Sequence, residues 1–446
     1  MKLLIGGSPC TYWSIAQSKN RETEASGMGW ELFRNYLIAR DKFKPEIFLY
    51  ENNKSMSDAI RAQITKELGV EPVCINSALV SAQNRQRLYW VGRRNLDGTY
   101  SRVEIEQPED RGILLRDVLE SATTWLDKAY ALTTRCCSAI PEDTIKRHRH
   151  TMAAVPIEYN PLHSCDVVVT DQNIRCTYKD GSGTAQGYTV TFDDVKSPSV
   201  IAGHAQKMKV IERATGKETP VYKVQDGYIT IKGKKYPIKL ADGFYIIRKL
   251  TVTECKRLQT VPDDYVFPVS SAQAYKMLGN GWTVEVIAHI LSQCPGIATE
   301  PLTVLSMYDG MSCGHIALDK LGADIRRYYS TEIDKYAVQT TQHNFPDTIQ
   351  LGDAFQVCNE DWALPEVDET APLDTEPEEE QKRQTDQEPG IKYAAVITYT
   401  TGERTGATFC AENMAGAWGA IFELFDKSML RAVELAEILT PERARK

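Results

Sequence analysis

Short apolar runs alternate with helical segments along the first hundred residues, and this alternation restricts the possible folds more than any other feature. The strand-like runs are Lys2–Gly6, Glu46–Tyr50, Val73–Leu79 and Arg87–Gly92, and the segments with helical spacing are Trp30–Ala39 and Ser57–Leu68. Strands and helices that alternate in this way predict an α/β fold with a parallel, doubly wound sheet. The 446 residues are enough for about two or three domains.

The character of the sequence changes at about residue 110 and again at about residue 245. Between these points, strand-like runs separated by turns such as Asp180-Gly181 and Asp226-Gly227 predict a β-rich domain. The α/β alternation resumes with the strand-like runs Leu302–Met307 and Ile325–Thr331. The predicted organisation is one α/β domain from 1–109 and 245–358, an inserted domain at 110–244, a linker at 359–390 and a small α+β module at 391–446. For this module we predict a hairpin (Lys392–Thr400 with Ala407–Ala411), an amphipathic helix (Ala415–Phe425) and a helix or strand (Ala432–Leu439).

The charge of the chain is concentrated in one segment. Residues 360–390 carry twelve acidic residues against Lys382 and Arg383, a net charge of −10, so a whole-chain charge of −8 leaves +2 elsewhere. This acidic segment predicts a disordered linker. A nearly neutral body with basic clusters at Lys146–Arg149 and Lys232–Lys235 is compatible with a nucleic-acid partner, although such clusters are equally typical of a solvated surface.

Other features bear on the cellular setting. The sequence has no stretch of about 20 apolar residues and no secretory signal at its start, so we expect no membrane partner. Its eleven cysteines lack the spacing of a disulfide framework, which favours a reduced, soluble, cytoplasmic protein. Cys136, Cys137, Cys165 and Cys176 do not have zinc-site spacing, so we expect no metal.

Three polar elements adjoin predicted strands and are suited to catalysis. The turn Gly6–Cys10 places a cysteine at the carboxyl edge of the sheet, where open α/β folds bind ligands and helix amides favour a thiolate. Glu51 also follows a strand, where a carboxylate can act as a general acid. Arg85 and Arg87 stand two positions apart, so both point to one face. Taken singly, an inert cysteine, a helix-capping acid and a surface pair are the alternatives.

A second group of residues has the pattern of a nucleotide-binding site. Ser306–Gly314 joins a strand to a helix through glycines that let a ligand approach the backbone. Glu332 ends the next strand 23 positions after Asp309, close to the spacing at which such folds hold ribose hydroxyls. Asp353 ends a third strand and could reach an adenine amino group. Together they favour an adenosyl cofactor, and the absence of GxxxxGK[ST] disfavours a P-loop nucleotidase.

Together these residues resemble the motifs of the DNA cytosine-5 methyltransferase family. The turn at Ser306–Gly314, called the cofactor turn below, contains Tyr-Asp-Gly followed by Cys-Gly, which is similar to the same turn in the vertebrate de novo subfamily. The segments that carry the resemblance are Gly7–Cys10, Glu51-Asn52, Gln83–Arg87, Arg248–Gln259, Leu278–Trp282, Leu302–Gly314, Glu332 and Asp353. It covers about residues 1–100 and 245–358.

The resemblance implies a Rossmann-like methyltransferase sheet, S-adenosylmethionine (SAM) as cofactor and double-stranded DNA as substrate. It implies that Cys10 attacks C6 of a flipped cytosine, that Glu51 assists at N3, and that Arg87, supported by Arg85, contacts O2. The residues implied to bind the cofactor are Ser8, Pro9, Asn280, Gly281, Trp282, Tyr308, Asp309, Gly310, Met311, Ser312, Cys313, Glu332, Ile333, Asp353 and Ala354. Thr11–Met28 corresponds to a mobile clamp, and 110–244 to a target-recognition domain.

The order of the motifs departs from the family pattern. The nucleophile loop opens this chain, and the cofactor strands follow the last motif, which predicts a circular permutation. Neighbouring strands need spatial rather than covalent adjacency, so such an order is physically tolerable. Ser8 stands where proline is usual and Gly281 where serine is usual, and both are small changes that leave activity plausible. Asn53 stands where valine is usual.

Two other functions stay open from the sequence alone. An enzyme on this scaffold could methylate cytosine in RNA, such as tRNA, although the large recognition segment favours duplex DNA. A catalytically silent DNA-binding accessory protein is the second alternative, which intact Cys10, Glu51 and both arginines disfavour. The 391–446 module could bind a protein partner or a second copy. The compact chain suggests a bacterial, phage or mobile-element setting, in host defence, phage protection or regulation.

Overall fold

The computed structural model describes most of the chain, in two compact units that comprise Met1–Leu364 and Pro365–Lys446. The described residues are 1–15, 21–134, 136, 139–148, 150–157, 166–169, 174–177, 188–192, 208–212, 218–365, 391–399, 404–411 and 430–437. In this part of the chain, no helix is long and apolar enough to cross a membrane.

The elements have the following bounds. The helices are α1 (Gly27–Phe43), α2 (Asp58–Leu68), α3 (Pro141–Arg147), α4 (Val252–Leu258), α5 (Ser271–Asn280), α6 (Val284–Ser292), α7 (Cys313–Lys320) and α8 (Lys335–Asn344). The first strands are β1 (Lys2–Gly6), β2 (Ile47–Asn53), β3 (Val73–Asn76), β4 (Gln83–Asn84), β5 (Gln86–Arg94), β6 (Tyr100–Arg102), β7 (Ala129–Tyr130) and β8 (Met152–Ile157). The middle strands are β9 (Asp166–Val169), β10 (Ile174–Thr177), β11 (Tyr188–Phe192), β12 (Met208–Glu212), β13 (Glu218–Gln225), β14 (Tyr228–Ile231), β15 (Lys234–Pro237) and β16 (Gly243–Lys249). The last are β17 (Leu302–Met307), β18 (Ile325–Thr331), β19 (Ile349–Gly352), β20 (Ile391–Tyr399), β21 (Arg404–Ala411) and β22 (Leu430–Glu437).

The larger unit is built on a sheet in the order β19-β18-β17-β1-β2-β5-β3, with β6 added to β5. Strands β19, β18, β17, β1 and β2 all run parallel to one another. The predicted α/β fold with a parallel sheet is therefore confirmed. β1 is central although it opens the chain, because β17 lies on one side of it and β2 on the other.

β1 is buried on both faces, as a central strand between helical layers requires. Leu3, Leu4 and Ile5 have no exposed surface. Helix α7 approaches this strand at Gly314, where a Cβ atom would lie 2.2 Å from Ile5 Cδ1. The absence of a side chain at Gly314 thus lets the helix that follows β17 pack directly on the sheet.

One strand departs from the parallel arrangement predicted from the sequence. β5 runs antiparallel to both β2 and β3. The connection from β3 to β5 holds only a short 3₁₀ helix (Ser77–Leu79) and β4. A parallel crossover needs a dozen or more residues, usually with a helix, so this short connection reverses the strand instead.

A second sheet lies between residues 152 and 249. Its order is β11-β12-β13-β16-β8-β10-β9, and the β14–β15 hairpin extends from β13. Its strands pair antiparallel apart from β8 with β10. Ile229, Ile231, Tyr245 and Ile247 belong to an apolar core under this sheet, separate from the core of the α/β domain.

A buried ion pair ties the end of the second sheet to α4. The carboxylate of Glu254 has no exposed surface, and it accepts hydrogen bonds of 2.8 Å from both terminal nitrogens of Arg248. Glu254 also accepts from the backbone amides of Thr251 and Glu120. Removal of either partner would leave the other charge buried and unpaired. The ion pair therefore stabilises the connection between β16 and α4.

The smaller unit contains a three-stranded antiparallel sheet in the order β21-β20-β22. β20 and β21 form the hairpin that the sequence predicts, and 432–439, predicted as a helix or a strand, falls largely in β22. The predicted helix at 415–425 and most of the predicted linker at 359–390 lie outside the described residues.

His315 makes the stability of the larger unit depend on pH. Its ring stacks between Tyr328 and Phe345, with centroid distances of 4.4 and 3.9 Å. Burial lowers the pKa of His315 to about 4. In the unfolded chain the pKa is about 6.5, so between these values only the unfolded state binds the proton. Stability should therefore fall as pH drops through this window, by up to about 3 kcal/mol.

We expect His315→Phe to flatten this dependence, because phenylalanine keeps the stacked ring and removes the titrating group. Urea unfolding at pH 7.5 and pH 5 would measure it. His343→Phe, at an exposed position on α8, is the matched control and should keep the wild-type dependence. An unchanged slope in His315→Phe would contradict the assignment.

Candidate active site

A cavity of about 580 Å³ opens at the carboxyl edge of the central strands. The parallel register aligns Gly6 with Met307 on one side and with Tyr50 on the other, so the loops after these strands start at the same level. Met307 in turn pairs with Thr331, the last residue of β18. Open α/β sheets place ligand sites at this edge, and here it brings together residues from four distant parts of the chain.

The loop after β1 is held from beneath by buried polar side chains. The hydroxyls of Ser8 and Tyr50 lie 2.6 Å apart. The side-chain amide of Asn52 donates to the Ser8 carbonyl oxygen at 3.1 Å and to the Tyr50 hydroxyl at 3.2 Å. Cys10 begins the 3₁₀ turn Cys10–Tyr12 that follows, and its thiol lies outside the described part of the structure. Its neighbours Pro9 and Thr11 both line the cavity.

Glu51 stands at the cavity wall between two donors. Arg87 Nε lies 3.0 Å from Glu51 Oε1, and the indole N–H of Trp282 donates to Glu51 Oε2 at 2.9 Å. A Cβ atom on Gly7 would lie 2.9 Å from Glu51 Oε2, so glycine is what lets the nucleophile loop pass this close. Trp282, assigned from the sequence to cofactor binding, thus also contacts the predicted catalytic acid.

Arg85 lies on the same face as Arg87, but its guanidinium is used differently. It is 4% exposed and donates to the carbonyl oxygens of Leu132, Gly279 and Gly281 at 3.0, 3.2 and 2.9 Å. These carbonyls belong to the segment that leads into α3 and to the end of α5. Arg85 therefore fixes the backbone around the cavity, where the sequence suggested direct support for a substrate contact.

The turn between β17 and α7 has an unusual backbone. Tyr308, Gly310 and Ser312 have φ angles of 60°, 61° and 56°, so two side-chain-bearing residues adopt the left-handed conformation within five positions. Such conformations are costly and cluster at functional sites. The Tyr308 hydroxyl donates to the Leu32 carbonyl oxygen at 2.7 Å, which anchors the turn to α1.

Asp309 holds this turn from within. Its carboxylate accepts hydrogen bonds from the hydroxyls of Ser306 (2.6 Å), Tyr328 (2.8 Å) and Ser312. Burial raises the pKa of the Asp309 carboxyl above its usual value, against the opposing effect of these donors. The Asp309 carboxylate, which sequence analysis assigned to cofactor binding, thus accepts hydrogen bonds from Ser306, Ser312 and β18. Ser312, which is also predicted to bind the cofactor, takes part in this cluster and does not line the cavity.

Glu332 extends the cavity wall at the end of β18. Its carboxylate accepts hydrogen bonds from the backbone amides of Gly310, Ile333 and Asp334 at 2.9, 2.8 and 2.7 Å. A carboxylate has about four acceptor positions, so this one retains capacity for a ligand hydroxyl. Asp353 begins the short 3₁₀ helix Ala354–Cys358, and its carboxylate accepts from the Phe355 amide at 3.0 Å.

The cavity collects most of the residues singled out in the sequence. The predicted residues that line it are Ser8, Pro9, Glu51, Arg85, Arg87, Asn280, Gly281, Trp282, Tyr308, Asp309, Gly310, Met311, Cys313, Glu332, Ile333, Asp353 and Ala354. Tyr12 and Met28, which belong to the predicted clamp at Thr11–Met28, also line it, and sequence analysis missed Leu32, Lys276 and Phe355. Lys276 lies on the same face of α5 as Asn280, four residues later, and that spacing could have indicated it. Its ammonium group lies 2.7 Å from the Asp334 carboxylate.

Two further observations limit the chemistry of the site. Burial raises the pKa of the Cys313 thiol to about 12, so this cysteine of the cavity wall is neutral and a poor nucleophile at physiological pH. Among the described side chains, no group of three or more His, Cys, Asp or Glu residues could hold a metal ion.

The sheet and the cavity at its carboxyl edge define an open α/β protein with a ligand site assembled from several strand ends. A family model described as C-5 cytosine-specific DNA methylase matches residues 1–296, about two thirds of the chain. The chain belongs to this family and is therefore a DNA cytosine-5 methyltransferase, as its motifs predicted. Methyltransferases in general take their methyl group from SAM.

Individual relatives are similar over about the same share of the chain. The type II methyltransferase M.HpaII of Haemophilus parainfluenzae is 25% identical over 64% of this chain and 69% of its own length. The orphan methyltransferase M.SPRI of Bacillus phage SPR is 23% identical over 65% of this chain and 82% of its own length. Among solved structures, a DNMT2 mutant of Spodoptera frugiperda matches with 16% identity and a TM-score of 0.32, covering 65% of this chain and 78% of that one.

We expect the two arginines to separate stability from activity. Arg85→Lys should lower the free energy of unfolding by about 2 kcal/mol, because one ammonium group cannot serve three buried carbonyls. Arg87→Lys keeps a charge beside Glu51, so stability should change by less than about 0.5 kcal/mol while turnover falls. Denaturant unfolding and methyl transfer at saturating substrate would measure both variants. The opposite pattern would contradict the roles assigned here.

Proposed function

We propose that this protein transfers a methyl group from SAM to C5 of a flipped-out cytosine within a specific double-stranded DNA sequence, through a covalent bond between Cys10 and C6. The observation that carries the proposal is the cavity. It brings the loop before Cys10, the Glu51–Arg87 pair and the turn at Tyr308–Gly310 to one place. These are the groups that such a reaction needs for attack, for charge stabilisation and for cofactor binding.

The residues present fit an adenosyl cofactor, which would supply an electrophilic methyl group when bound. The remaining acceptor capacity of Glu332 suits a ribose hydroxyl. The Ile333 side chain is 75% exposed and Phe355 39% exposed at the cavity, and such apolar groups suit an adenine ring. We assign Asp353 to the adenine amino group, and Asn280 and Gly281 to the amino-acid end. Asp309 and Ser312 would act by shaping the turn.

The chain's own groups would carry the reaction in three ways. The Cys10 thiolate adds to C6, which gives C5 the electron density that it lacks in free cytosine. Glu51 donates a proton or a hydrogen bond at N3 and so stabilises the charge that develops on the ring. Arg87, already ordered against Glu51, donates to O2, and Arg85 keeps the backbone around them in place. Once C5 carries the transferred methyl group, loss of its proton restores the aromatic ring and expels Cys10.

A stacked base cannot reach this cavity, so the target cytosine must leave the duplex, at a cost of a few kcal/mol. We infer that the second sheet, within the 110–244 segment, is the target-recognition domain. We also infer that Thr11–Met28 acts as the clamp over the flipped base. Tyr12 and Met28 at its two ends line the cavity, which supports this assignment.

We further propose that the chain is circularly permuted relative to the usual family order. The family match ends at residue 296, while β17–β19 and the turn at Tyr308–Gly310 come after it. Parallel pairing between β1 and β17 joins residues about 300 positions apart, which supports the proposal. The 391–446 module is proposed to bind a partner or a second copy.

Cys10→Ala should abolish cytosine methylation and retain DNA binding, because the thiolate is needed only for the covalent step. Base-resolution bisulfite sequencing of DNA from cells expressing each variant would measure this and give the recognition sequence. Cys74→Ala, a half-buried cysteine on β3, is the control and should methylate normally. Methylation by Cys10→Ala would remove the mechanism, and modification of RNA alone would reassign the substrate.

The β14–β15 hairpin carries the basic cluster Lys232–Lys235 of the proposed recognition domain. Ile229 and Ile231 face the core, while Thr230 and Lys235 form a cross-strand pair on the exposed face. Lys234 is exposed as well, and neither Lys234 nor Lys235 has an ion-pair partner within the described residues. A two-stranded ribbon fits the major groove of DNA, and lysines at its tip suit phosphate contacts.

We expect Lys234→Gln with Lys235→Gln to weaken DNA binding and to reduce the slope of log affinity against log salt by about 1 per lost contact. Fluorescence anisotropy on a duplex across a salt series would measure this. Lys66→Gln, at an exposed position on α2, is the control and should keep the wild-type slope. Equal slopes in all variants would show that these lysines only protect the edge of the sheet.

A further inference from the structure

The segment that follows the predicted nucleophile is tied together by one acidic residue, Glu22. The backbone amide of Glu22 donates to the Tyr12 carbonyl oxygen at 2.9 Å. Its carboxylate oxygen Oε2 accepts the indole N–H of Trp13 at 3.0 Å. Trp13 has no exposed surface, so this bond satisfies a donor that has no access to water. Glu22 therefore connects the two ends of the 11–28 segment directly behind the Cys10–Tyr12 turn.

The same carboxylate caps helix α1. The backbone amide of Gly29 donates to both oxygens of Glu22, at 3.3 and 3.2 Å. The residue at the usual capping position, Ser26, makes no side-chain capping bond, and the first turn of α1 holds no acid. A negative charge at a helix N-terminus is favourable because the free amides carry partial positive charge. Glu22 supplies that charge from outside the helix.

α1 carries the opposite wall of the cavity, so its position matters to the site. Met28 and Leu32 line the cavity, and the Leu32 carbonyl oxygen accepts the Tyr308 hydroxyl at 2.7 Å. Through Glu22, the Cys10–Tyr12 turn, α1 and the turn at Tyr308–Gly310 are parts of one connected set of hydrogen bonds.

The backbone closes tightly around this carboxylate. A Cβ atom on Gly27 would lie 2.5 Å from Glu22 Oε1, and one on Gly29 would lie 2.6 Å from Glu22 Oε2. Gly27 also has a φ of 81°, which disfavours other residues. Two glycines thus make the room that the carboxylate occupies, which indicates that its place is specific.

We propose that Glu22 is a positioning residue for the covalent step, because it fixes the position of the Cys10–Tyr12 turn relative to α1 and the cavity. The inference rests on the proposed function. Glu22 does not line the cavity, so its effect on the reaction is indirect. A small displacement of the thiolate from C6 slows attack much more than it weakens binding, because a covalent step depends more steeply on the distance between the reacting atoms than non-covalent contacts do.

The test compares Glu22→Gln and Trp13→Phe, singly and combined, with Glu71→Gln as the control. Glutamine keeps the size of Glu22 but offers only one oxygen for the two donors, and phenylalanine keeps the ring of Trp13 without its N–H. Glu71 is exposed, lies between α2 and β3 away from the cavity lining, and makes no side-chain bond within the described structure. Each full-length variant is mixed with SAM and a recognition-site duplex carrying 5-fluorocytosine, which cannot release its C5 substituent and so retains the covalent adduct.

The adduct should form about 100-fold more slowly with Glu22→Gln, while the dissociation constants for DNA and SAM and the melting temperature match the wild type. Trp13→Phe should also slow adduct formation. The double variant should be no slower than Glu22→Gln alone, because both substitutions remove the same hydrogen bond between Trp13 and Glu22. Glu71→Gln should react at the wild-type rate.

Wild-type rates in Glu22→Gln and Trp13→Phe would overturn the inference and leave the proposed function intact. A loss that follows a lowered melting temperature in both variants would overturn it too, since it would show a structural role alone. Absence of any adduct with the wild type would instead contradict the proposed function.

Discussion

The parallel hydrogen-bond register across β17, β1 and β2 is the constraint on which the rest of the site depends. It sets Met307, Gly6 and Tyr50 at one level, so the three loops that follow leave the sheet side by side. The cofactor turn, the loop at Gly7–Cys10 and Glu51 are therefore neighbours in space because of the strand register alone. A slip of one residue in any of these pairs would exchange the faces on which the buried side chains pack and would separate the loops by a strand rise of about 3.3 Å.

Around this edge, polar side chains with different tasks lie in close succession. In the Gln83–Arg87 motif, the amide of Gln83 donates to the Leu258 carbonyl and to Gln259, and accepts from the Leu132 amide. Arg85 reaches three further carbonyls, and Arg87 alone turns to Glu51. Of these three residues, Gln83 and Arg85 therefore organise backbone, and Arg87 faces the cavity. Asp309 and Glu332 combine the two tasks, because both line the cavity and both accept hydrogen bonds from the turn between β17 and α7.

Sequence analysis predicted the elements that repeat a simple pattern and missed the features that depend on distant contacts. β17 and β18 have their predicted bounds, because turn residues and charged residues border both segments. The direction of β5 was wrong, because strand direction depends on connection length more than on composition. The spacing of Arg85 and Arg87 indicated a shared face but not what that face meets. The role of Glu22 depends on two glycines and a tryptophan that only the folded loop brings together.

The position of β17 also has a consequence for how the molecule is made. A ribosome delivers β1 first and β17 about 300 residues later, which at about 5–20 residues per second is roughly 15 to 60 seconds. During that time β1, with Leu3, Leu4 and Ile5, presents an unpaired apolar edge on the side that β17 will cover. Such edges attract other extended chains. The nascent protein therefore carries an aggregation hazard at β1, and synthesis of β17 removes that hazard and completes the wall of the cavity in the same step.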